Sequence, residues 1–326
     1  MVPFATFDRL QATRSVSRLE TESQVDATLL EVTTAYWNVV RQRQLLEAIE
    51  ETREVSEERL SISRSRLEAG TGSKVDLNLA RVELNRDRSA AAEQRIALTE
   101  SKTRLNNVLG RRADRRFRVD GDIDVAEALS YEQVRDRAIS NNRRLRVERR
   151  QERVATHEIR EAKADRWPEL GLTLGFNYTG FHSGVVPEFD TEPSVEYLLT
   201  LSVPIFEGFN IGRRIDNSQT RRKVADLEVR REEIRVRTEL RNAWESYQRQ
   251  HERIELARKS VKVAEENVDI ALTELEAGTI TQVELRQVQL NLLEAKNRLI
   301  NAKFEAKRAE LDLRRLSGEL YDDLVQ

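Results

Sequence analysis

The side chains that most often perform catalysis or bind metal ions are few and scattered in this sequence. Its three histidines, His157, His182 and His251, are far apart along the chain, and cysteine is absent. No spacing typical of a Ser-His-Asp triad, a phosphate-binding loop or a metal motif occurs. The acids of Asp120–Asp124 lack the later ligands of a calcium loop and are expected to begin a linking segment. The sequence therefore predicts a protein that is not an enzyme and uses no metal or cofactor.

Two arginine-rich stretches, Gly110–Arg118 and Asn141–Arg150, suggest nucleic-acid binding as one interpretation. The whole chain argues against it, because 55 basic residues are balanced by 57 acidic ones and the formal net charge is −2. No aromatic platform for bases accompanies the arginines. We expect no nucleic-acid partner and interpret these stretches as solvated helix faces or as sites of ion pairing between protomers.

One acid-containing phrase occurs twice, 208 residues apart. It reads LEAGTGSKVDL at Leu67–Leu77 and LEAGTITQVEL at Leu275–Leu285, and seven of the eleven positions are identical. Each copy places a carboxylate, Asp76 or Glu284, six positions after its glycine. The same offset relates positions well outside the phrase, so the chain contains an internal duplication.

Long helices must carry both copies, because the residues that interrupt helices are concentrated elsewhere. Of twelve glycines and five prolines, ten lie between Pro168 and Gly212. Charged residues make up 34% of the chain and aromatic residues 6%, a composition typical of solvent-facing helices. We predict helical tracts in the five stretches that contain neither glycine nor proline: residues 4–69, 73–109, 122–167, 213–277 and 279–317.

Apolar residues recur at alternating spacings of three and four within the last two tracts. From Leu285 to Leu316 every such position is apolar, and the stripe from Leu240 to Leu275 is interrupted three times. This period predicts coiled-coil packing. A second stripe of small residues on the same tract (Ala243, Ala257, Ala264, Ala271 and Gly278) predicts a second close helix neighbour. Residues 212–277 as one helix would span roughly 100 Å.

Each copy of the phrase is predicted to form the tip of an antiparallel helical hairpin. Gly70 and Gly278 suit the left-handed position that follows a helix, where other residues are strained. The hydroxyl groups that follow them are expected to cap the returning helix; they belong to Thr71, Ser73, Thr279 and Thr281.

The glycine-rich island contains two stretches of alternating apolar residues. Pro168–Gly180 and Val195–Phe206 each present one apolar face and one small or polar face, and Phe181–Ser194 between them is predicted to be a loop. Strands of nine to eleven residues with this pattern are typical of membrane β-barrels, although a half-buried hairpin of a soluble protein fits as well. One hairpin cannot close a barrel, so a membrane location requires several chains. No apolar run long enough for a transmembrane helix and no signal peptide is visible.

Together, the paired Gly-Thr tips, the RWPEL entry to the first strand and the VPIFEGF exit from the second resemble the TolC-like outer-membrane efflux protein family over nearly the whole chain. The resemblance implies a mainly α fold with a small membrane β part. Long antiparallel coiled-coil hairpins would form a trimeric α-barrel, and strands would contribute to a shared outer-membrane β-barrel. The implied function is an exit duct for efflux or type I secretion. Its partners would be a homotrimer, outer-membrane lipid, a periplasmic adaptor and, indirectly, an inner-membrane transporter.

The resemblance also assigns roles to the tips. The positions expected to meet the adaptor are Gly70, Thr71, Gly72 and Ser73 in the first copy and Gly278, Thr279, Ile280 and Thr281 in the second. Asp76 and Glu284 match the region where family members constrict the pore with acids, and a carboxylate ring there would favour cations. The alternative is that these two acids only stabilise the first turn of a helix.

The implied organisation divides the chain into six segments. Val2–Leu10 resembles a shortened copy of Val203–Ile211, so we expect the sequence to begin at the end of a first β-hairpin, with a signal peptide, a first helix and about two strands missing. The segments are 1–10, a hairpin remnant; 11–110, the first helical hairpin with its tip at 70–73; 111–167, an equatorial linker and ascending helix; 168–206, the outer-membrane β-hairpin; 207–318, the second helical hairpin with its tip at 278–281; and 319–326, a tail.

Two other classes of protein compete with the duct. A soluble coiled-coil scaffold fits the helices but does not account for apolar strands of membrane length. A periplasmic adaptor has one helical hairpin flanked by strand-rich domains, whereas this chain has two hairpins in tandem. The duct is therefore the preferred prediction, with its cargo open among drugs, metals and secreted proteins.

Overall fold

The computed structural model describes residues 2–126, 130–181 and 190–320. Within them the chain is mainly helical with one small sheet, which confirms the predicted fold class. The helices are α1 (Val2–Glu68), α2 (Lys74–Val108), α3 (Tyr131–Asn141), α4 (Arg143–Ala164), α5 (Asn210–Ala277) and α6 (Gln282–Ser317), and the strands are β1 (Glu169–Phe181) and β2 (Asp190–Ser202).

The chain divides into two units. The first comprises Met1–Glu22 and Arg143–Ile234, and it contains the β-hairpin. The second comprises Ser23–Asn142 and Arg235–Gln326, and it contains both copies of the repeated phrase.

In the second unit, α1 runs antiparallel to α2, and α5 runs antiparallel to α6. The side chains of Ser56 and Asp87 meet at 2.5 Å in the first pair. In the second pair the Lys296 ammonium of α6 lies 3.2 Å from the Glu265 carboxylate of α5. Both residues are nearer to the tip than to the opposite ends of their helices. Each repeated phrase is therefore the tip of a helical hairpin.

The three-four stripe of α6 faces the interior, as predicted. Leu285, Leu313 and Leu316 are almost fully buried, and the other members of the stripe are buried or half-buried. The stripe of α5 behaves in the same way, with Leu240 and Leu275 at its buried ends. Truncating one such leucine to alanine typically costs about 2–5 kcal/mol, so the stripes supply much of the packing energy of this hairpin.

The third predicted tract, 122–167, is not one helix. Residues 122–126 are irregular, and the helical part is broken at Asn142, whose backbone has φ −53° and ψ 120°. The Asn142 side chain donates from Nδ2 to the Leu316 carbonyl oxygen at 3.1 Å, which fastens the break to the end of α6. The absence of glycine and proline did not predict this break, and the residue that fastens it is distant in the sequence.

The irregular segment before α3 is fastened to α5 and α6. Tyr247 donates from its hydroxyl to the Ala126 carbonyl oxygen at 2.6 Å, and burial, with the nearby Glu310 charge, raises the pKa of Tyr247 to about 12. Glu310 is itself buried and lies 2.9 Å from both the Lys307 ammonium and the Arg314 guanidinium. Asp122 extends the attachment by accepting from Lys303 at 2.5 Å. One of the acids predicted to begin a linking segment therefore ties that segment to α6.

In the first unit, the beginning of α1 packs on α4. Val16, Leu19 and Val147 form a small buried cluster. Arg9 donates from Nε to a Glu161 carboxylate oxygen at 2.7 Å. The prediction that residues 1–10 are the end of a β-hairpin is wrong for the described residues, because α1 already begins at Val2. A proline in the first turn is compatible with a helix, since the backbone N–H that it lacks has no partner there.

The β-hairpin is longer and shifted relative to the prediction. β1 and β2 have thirteen residues each and pair antiparallel, with Glu169 opposite Ser202 and Phe181 opposite Asp190. Residues 190–194, predicted as loop, belong to β2, because the main-chain ladder does not need an apolar pattern to continue. The strand ends before Pro204, which has no N–H to donate. Residues 182–189 of the predicted loop, including His182, and residues 321–326 of the predicted tail lie outside the described residues.

Candidate functional site

The first tip closes through the carbonyl oxygen of Arg66. The backbone N–H groups of Thr71 and Gly72 both donate to it at 2.9 Å, and the Thr71 hydroxyl donates to it at 3.2 Å. Gly70 has φ +78°, as its predicted position after the helix requires. Gly72 is needed for a different reason, because a Cβ there would lie 2.9 Å from the backbone carbon of Arg66. Ser73 then caps α2 by accepting from the Val75 N–H at 3.0 Å.

The second tip has the same plan with a stronger cap. Gly278 has φ +77°, and the Thr279 N–H and hydroxyl both donate to the Glu274 carbonyl oxygen at 3.0 Å. Thr281 and Glu284 form a capping box, in which the Thr281 N–H donates to the Glu284 carboxylate at 2.7 Å. The Glu284 N–H donates in turn to the Thr281 hydroxyl at 3.2 Å.

The capping prediction is therefore correct for one hydroxyl in each tip and wrong for the other. Ser73 and Thr281 cap the returning helices, as predicted. Thr71 and Thr279 instead satisfy carbonyl oxygens at the end of the preceding helix, because the left-handed glycine turns their hydroxyl groups back toward it.

The two tips share a cleft of about 250 Å³. It brings together Gly72 and Asp76 from the first copy with Gly278, Ile280 and Thr281 from the second. Gly70, Thr71, Ser73 and Thr279 do not line it but are exposed beside the turns. Glu284 is also exposed and outside the cleft.

The two predicted constriction acids thus differ in their surroundings. Asp76 is half-buried in the wall of the cleft. Glu284 is held in its capping box, and the hydrogen bonds from the Thr281 backbone and side chain lower the pKa of Glu284. Its carboxylate is therefore ionised at neutral pH, and stabilisation of the helix start accounts for its position.

An arginine that no sequence pattern singled out joins the tips. Arg66 donates from Nη1 to the Leu275 carbonyl oxygen at 2.7 Å, at the C-terminal end of α5. Its guanidinium also lies 2.9 Å from the place where a Cβ on Gly278 would be. A cation at this end of a helix interacts favourably with the helix dipole. The position equivalent to Arg66 in the second copy is Glu274, so comparison of the two repeats gave no sign of this contact.

A second group that was not predicted from the sequence is a buried ionic cluster farther from the tips. Arg286 of α6 makes a bidentate contact with Asp87 of α2 at 2.8 Å for both pairs of atoms, and its Nε lies 3.1 Å from Glu83. Asp87 also accepts from the Ser56 hydroxyl of α1 at 2.5 Å. Arg59 of α1 is fully buried beside them, and desolvation, followed by the Arg286 charge, lowers the pKa of Arg59.

The signal for this cluster was present in α1. Thr52, Ser56, Arg59 and Ser63 follow the same three-four spacing as an apolar stripe, yet all four are polar and buried. A polar residue repeated on the inward face of a helix indicates a partner on a neighbouring element. Apolar periodicity predicts buried stripes in the last two tracts, and it does not include polar residues at the same spacing in α1.

The β-hairpin presents one apolar face in which residues pair across the strands. Leu170 lies opposite Leu201, and Leu172 lies opposite Leu199. These side chains are more than half exposed within the chain, with Leu172 at 64% and Leu199 at 67%. Exposed apolar area of this extent indicates a surface that contacts something apolar.

Aromatic residues lie at the end of the hairpin where β1 begins and β2 ends. Trp167 precedes β1 and is mostly exposed. Phe206 and Phe209 follow β2, pack edge to face with ring centroids 5.8 Å apart, and are also exposed. Phe209 adopts φ +63°, which is uncommon for a residue with a side chain. Aromatic residues flanking an apolar strand surface are typical of the boundary between lipid and water.

The described residues contain neither a metal-binding cluster nor a membrane-spanning helix. No group of three or more His, Cys, Asp or Glu side chains there could hold a metal ion. No helix in these ranges is long and apolar enough to cross a membrane. His157 lies in α4 and His251 in α5, where the His251 ring packs against Tyr247.

The fold and these surfaces define a protein of tandem helical hairpins with an apolar β-hairpin. Residues 5–111 and 134–319 match the family described as outer membrane efflux protein. The chain belongs to this family, which confirms the predicted resemblance and places the protein in the outer membrane.

Individual relatives agree with this assignment at low sequence identity. The chain is 20% identical to the outer membrane efflux protein BepC of Brucella suis, over 97% of this chain and 71% of BepC. It is 22% identical to the proteases secretion protein PrtF of Dickeya chrysanthemi, over 84% of this chain and 60% of PrtF. The solved outer membrane protein VceC of Vibrio cholerae superposes with a TM-score of 0.76 at 15% identity, over 97% of this chain and 76% of VceC. The chain thus spans only part of the length of each relative.

Proposed function

We propose that the protein is the outer-membrane duct of a tripartite efflux or type I secretion system, and that it conducts cargo passively and catalyses no reaction. The observation that carries the proposal is the pairing of two repeat-related tips, joined by Arg66 and sharing one cleft, in a chain of this family. The energy for transport would come from an inner-membrane transporter that the duct reaches only through a periplasmic adaptor.

An assembly of several copies is supported by an apolar stripe that a single chain leaves uncovered. On α1, Ala48, Val55 and Ile62 are buried or half-buried, and Ala48 and Val55 line a cavity shared with α6. The equivalent residues of α5, 208 positions later, are Leu256, Val263 and Ile270, and all three are more than half exposed. In a ring of repeats, a second copy would cover α5 as α6 covers α1. We propose a homotrimer, which gives a ring of six hairpins.

The apolar β face supports contact with outer-membrane lipid. As a soluble scaffold, the chain would expose the leucines of β1 and β2 to water, with nothing in the described residues to cover them. In the proposed assembly, strands of several copies would form a shared barrel in the outer membrane, and the helical hairpins would extend into the periplasm.

The turns of the two tips are the proposed docking site for the adaptor. They comprise Gly70, Thr71, Gly72 and Ser73 and their equivalents Gly278, Thr279, Ile280 and Thr281. Asp76 and Glu284 are the proposed acidic constriction next to them. The ionised state of Glu284 supports a negative field there, which would favour cations.

A matched pair of threonine substitutions tests the docking site. Thr279 and Thr273 are both exposed, and both hydroxyl groups donate to a nearby backbone carbonyl. We expect Thr279→Glu to weaken binding of the host's periplasmic adaptor about tenfold, by about 1.4 kcal/mol, and Thr273→Glu to leave it unchanged. Adaptor affinity is measured by biolayer interferometry. Equal affinity of the two variants would contradict docking of the adaptor at this tip.

A further inference from the structure

The contact between the two hairpins of one chain depends on buried charge. Arg286 of α6 reaches between α1 and α2 and pairs with Asp87 and Glu83. The three side chains are only 12%, 8% and 11% exposed. Two arginines and two carboxylates balance one another when Arg59 is included, so the cluster is neutral as a whole.

A second layer of contacts lies between this cluster and the tips. Gln282 of α6 donates from Nε2 to the Ser63 hydroxyl of α1 at 2.7 Å. Its backbone carbonyl oxygen lies 3.5 Å from Nη1 of Arg59. With the bond from Arg66 to the Leu275 carbonyl oxygen, polar contacts connect the first hairpin to the second over several helical turns.

The duplication makes the corresponding surface of the second hairpin identifiable. Positions 208 residues after Ser56, Arg59, Glu83 and Asp87 are Ala264, Asn267, Asn291 and Ala295. These four residues line an open groove of about 420 Å³ between α5 and α6. The groove is therefore the repeat-equivalent of the pocket that Arg286 fills. Its four equivalent positions are uncharged, and the charged residues that also line it, Lys259 and Arg298, are both cations with no carboxylate in the lining.

The segment equivalent to the one around Arg286 lies on α2. Asn78 stands 208 positions before Arg286, and Lys74 stands 208 positions before Gln282. Within one chain α2 is already paired with α1, so only the α2 of another copy can repeat the contact in the groove. Asn78 of that second copy would meet Asn291 and Ala295. In the contact within one chain, Arg286 meets the carboxylates of Glu83 and Asp87.

We propose that the cluster of Arg286, Asp87, Glu83 and Arg59 is an ionic lock that keeps the two hairpins of one chain together, whereas the equivalent seam with a second copy lacks these buried ion pairs and is the seam that opens. The inference rests on the proposed function for its second half, since that half needs an assembly of copies. Separating the locked seam would leave buried charges without partners, which is far more costly than separating neutral polar groups. The tips of one chain would then move as a unit.

Spin-label distances test both halves of this proposal. The chain has no native cysteine, and Glu68 and Glu276 are exposed, repeat-equivalent residues beside the two tips. Chains with spin labels on both cysteines of Glu68→Cys/Glu276→Cys, diluted into excess unlabelled protein, report the distance between the two tips of one chain. A mixture of the two single variants reports the distance between copies. Both are measured by double electron–electron resonance without urea and in urea below the unfolding transition.

We expect the distribution of label distances within a chain to keep one narrow peak in urea. The distribution between copies should broaden. Arg286→Asn should abolish the narrow distance within the chain. A distance within the chain that broadens at the same urea concentration as the distance between copies would overturn the proposal. So would a narrow distance that survives Arg286→Asn.

Two further variants separate the lock from general instability. Arg258→Asn removes an exposed arginine of α5 that is paired with Glu255 at 3.3 Å, and it should change neither distance. The combined variant Ser56→Ala/Arg59→Asn/Glu83→Asn/Asp87→Ala/Arg286→Asn copies the five uncharged equivalent residues of the other seam without leaving a buried charge unpaired. If Arg286→Asn alone fails to fold, this variant should fold and still lose the narrow distance, and retention of that distance would refute the lock.

The mass of the detergent-extracted protein distinguishes failure of the two proposals. A monomer would overturn the proposed assembly and with it the seam between copies. The distance within one chain would still decide whether the lock exists. An assembly of three copies with a broad distance within each chain would leave the duct standing and overturn only the lock.

Discussion

Arg66 and Leu275 belong to different repeats and share a hydrogen bond, in which Nη1 of the arginine donates at 2.7 Å to the carbonyl oxygen at the end of α5. The last carbonyl groups of a helix have no partner within the helix. The first tip therefore supplies a charged cap to the helix that leads into the second tip. Because the equivalent residue of the second repeat is Glu274, this bond makes the pair of tips asymmetric.

Removal of the Arg66 side chain should loosen the second tip. We expect Arg66→Ala to cost about 1 kcal/mol, below the usual value for a charged hydrogen bond because Arg66 is partly exposed to water. Hydrogen exchange at Gly278–Thr281 should become faster. Arg64→Ala, on an exposed position of the same helix, is the control. Unchanged exchange at the second tip in Arg66→Ala would show that the bond does not hold the tips together.

The close approach at Gly72 predicts a steric effect in the first tip. In Gly72→Ala the new Cβ would collide with the backbone of Arg66, so the turn must shift, at a cost of about 1–3 kcal/mol. Gly212 lies near the start of α5, where a Cβ would have no other atom within 4 Å, and Gly212→Ala should stabilise the helix by roughly 0.5–1 kcal/mol. Urea unfolding measures both changes, and a neutral Gly72→Ala would contradict the tight turn.

The capping box predicts how stability at the second tip depends on pH. The folded pKa of Glu284 lies below the ordinary value of 4.5, so its stabilisation is present above pH 4.5 and is lost as pH falls through the folded pKa. Glu284→Ala should lose this pH dependence and the cap together. Glu284→Gln keeps a side chain that can accept from the Thr281 N–H, so it should keep much of the cap while losing the titration.

The same pair of variants separates the two roles considered for Glu284. If its charge also constricts the pore, Glu284→Gln should lower the cation selectivity of a reconstituted duct although the cap is retained. If selectivity is equal in the wild type and in Glu284→Gln, the residue acts only as a cap. Hydrogen exchange at Thr281–Glu284 across the acid range verifies that the cap is intact in each variant.

The apolar face of the β-hairpin predicts a difference between adjacent positions of one strand. Leu172 belongs to that face, and Thr173 points to the other side of β1. We expect Leu172→Arg to destabilise the membrane-inserted form by about 2–4 kcal/mol and Thr173→Arg to cost much less. Recovery from purified outer membranes and unfolding in lipid vesicles report the two costs. Equal recovery of both variants would contradict contact between this face and lipid.

Local chemistry made much of the fold predictable from the sequence. A left-handed turn favours glycine, and Gly70 and Gly278 have the φ values that this rule requires. The buried stripe from Leu285 to Leu316 followed from helical geometry alone. Alternation of apolar residues located the β-hairpin but not its ends, because backbone pairing continues into Asp190–Ser194 without an apolar pattern.

Contacts between distant residues could not be predicted in the same way. Arg59 and Gln282 are 223 positions apart, and only the folded chain shows that they are neighbours. The break at Asn142 is fastened to the Leu316 carbonyl oxygen, a contact that no local pattern predicts. The duplication located both tips but not the contact between them, because Arg66 and Gly72 are replaced by Glu274 and Ile280 in the second repeat.

The central claim, that copies of this chain form a passive duct, is tested most directly by single-channel recording. Protein extracted from outer membranes would be sized by native mass spectrometry and then inserted into planar bilayers. We predict particles of three copies that conduct ions, with lower cation selectivity when Asp76→Asn and Glu284→Gln are combined. Particles of one or two copies, or three-copy particles that insert but carry no current under any applied voltage, would contradict the account.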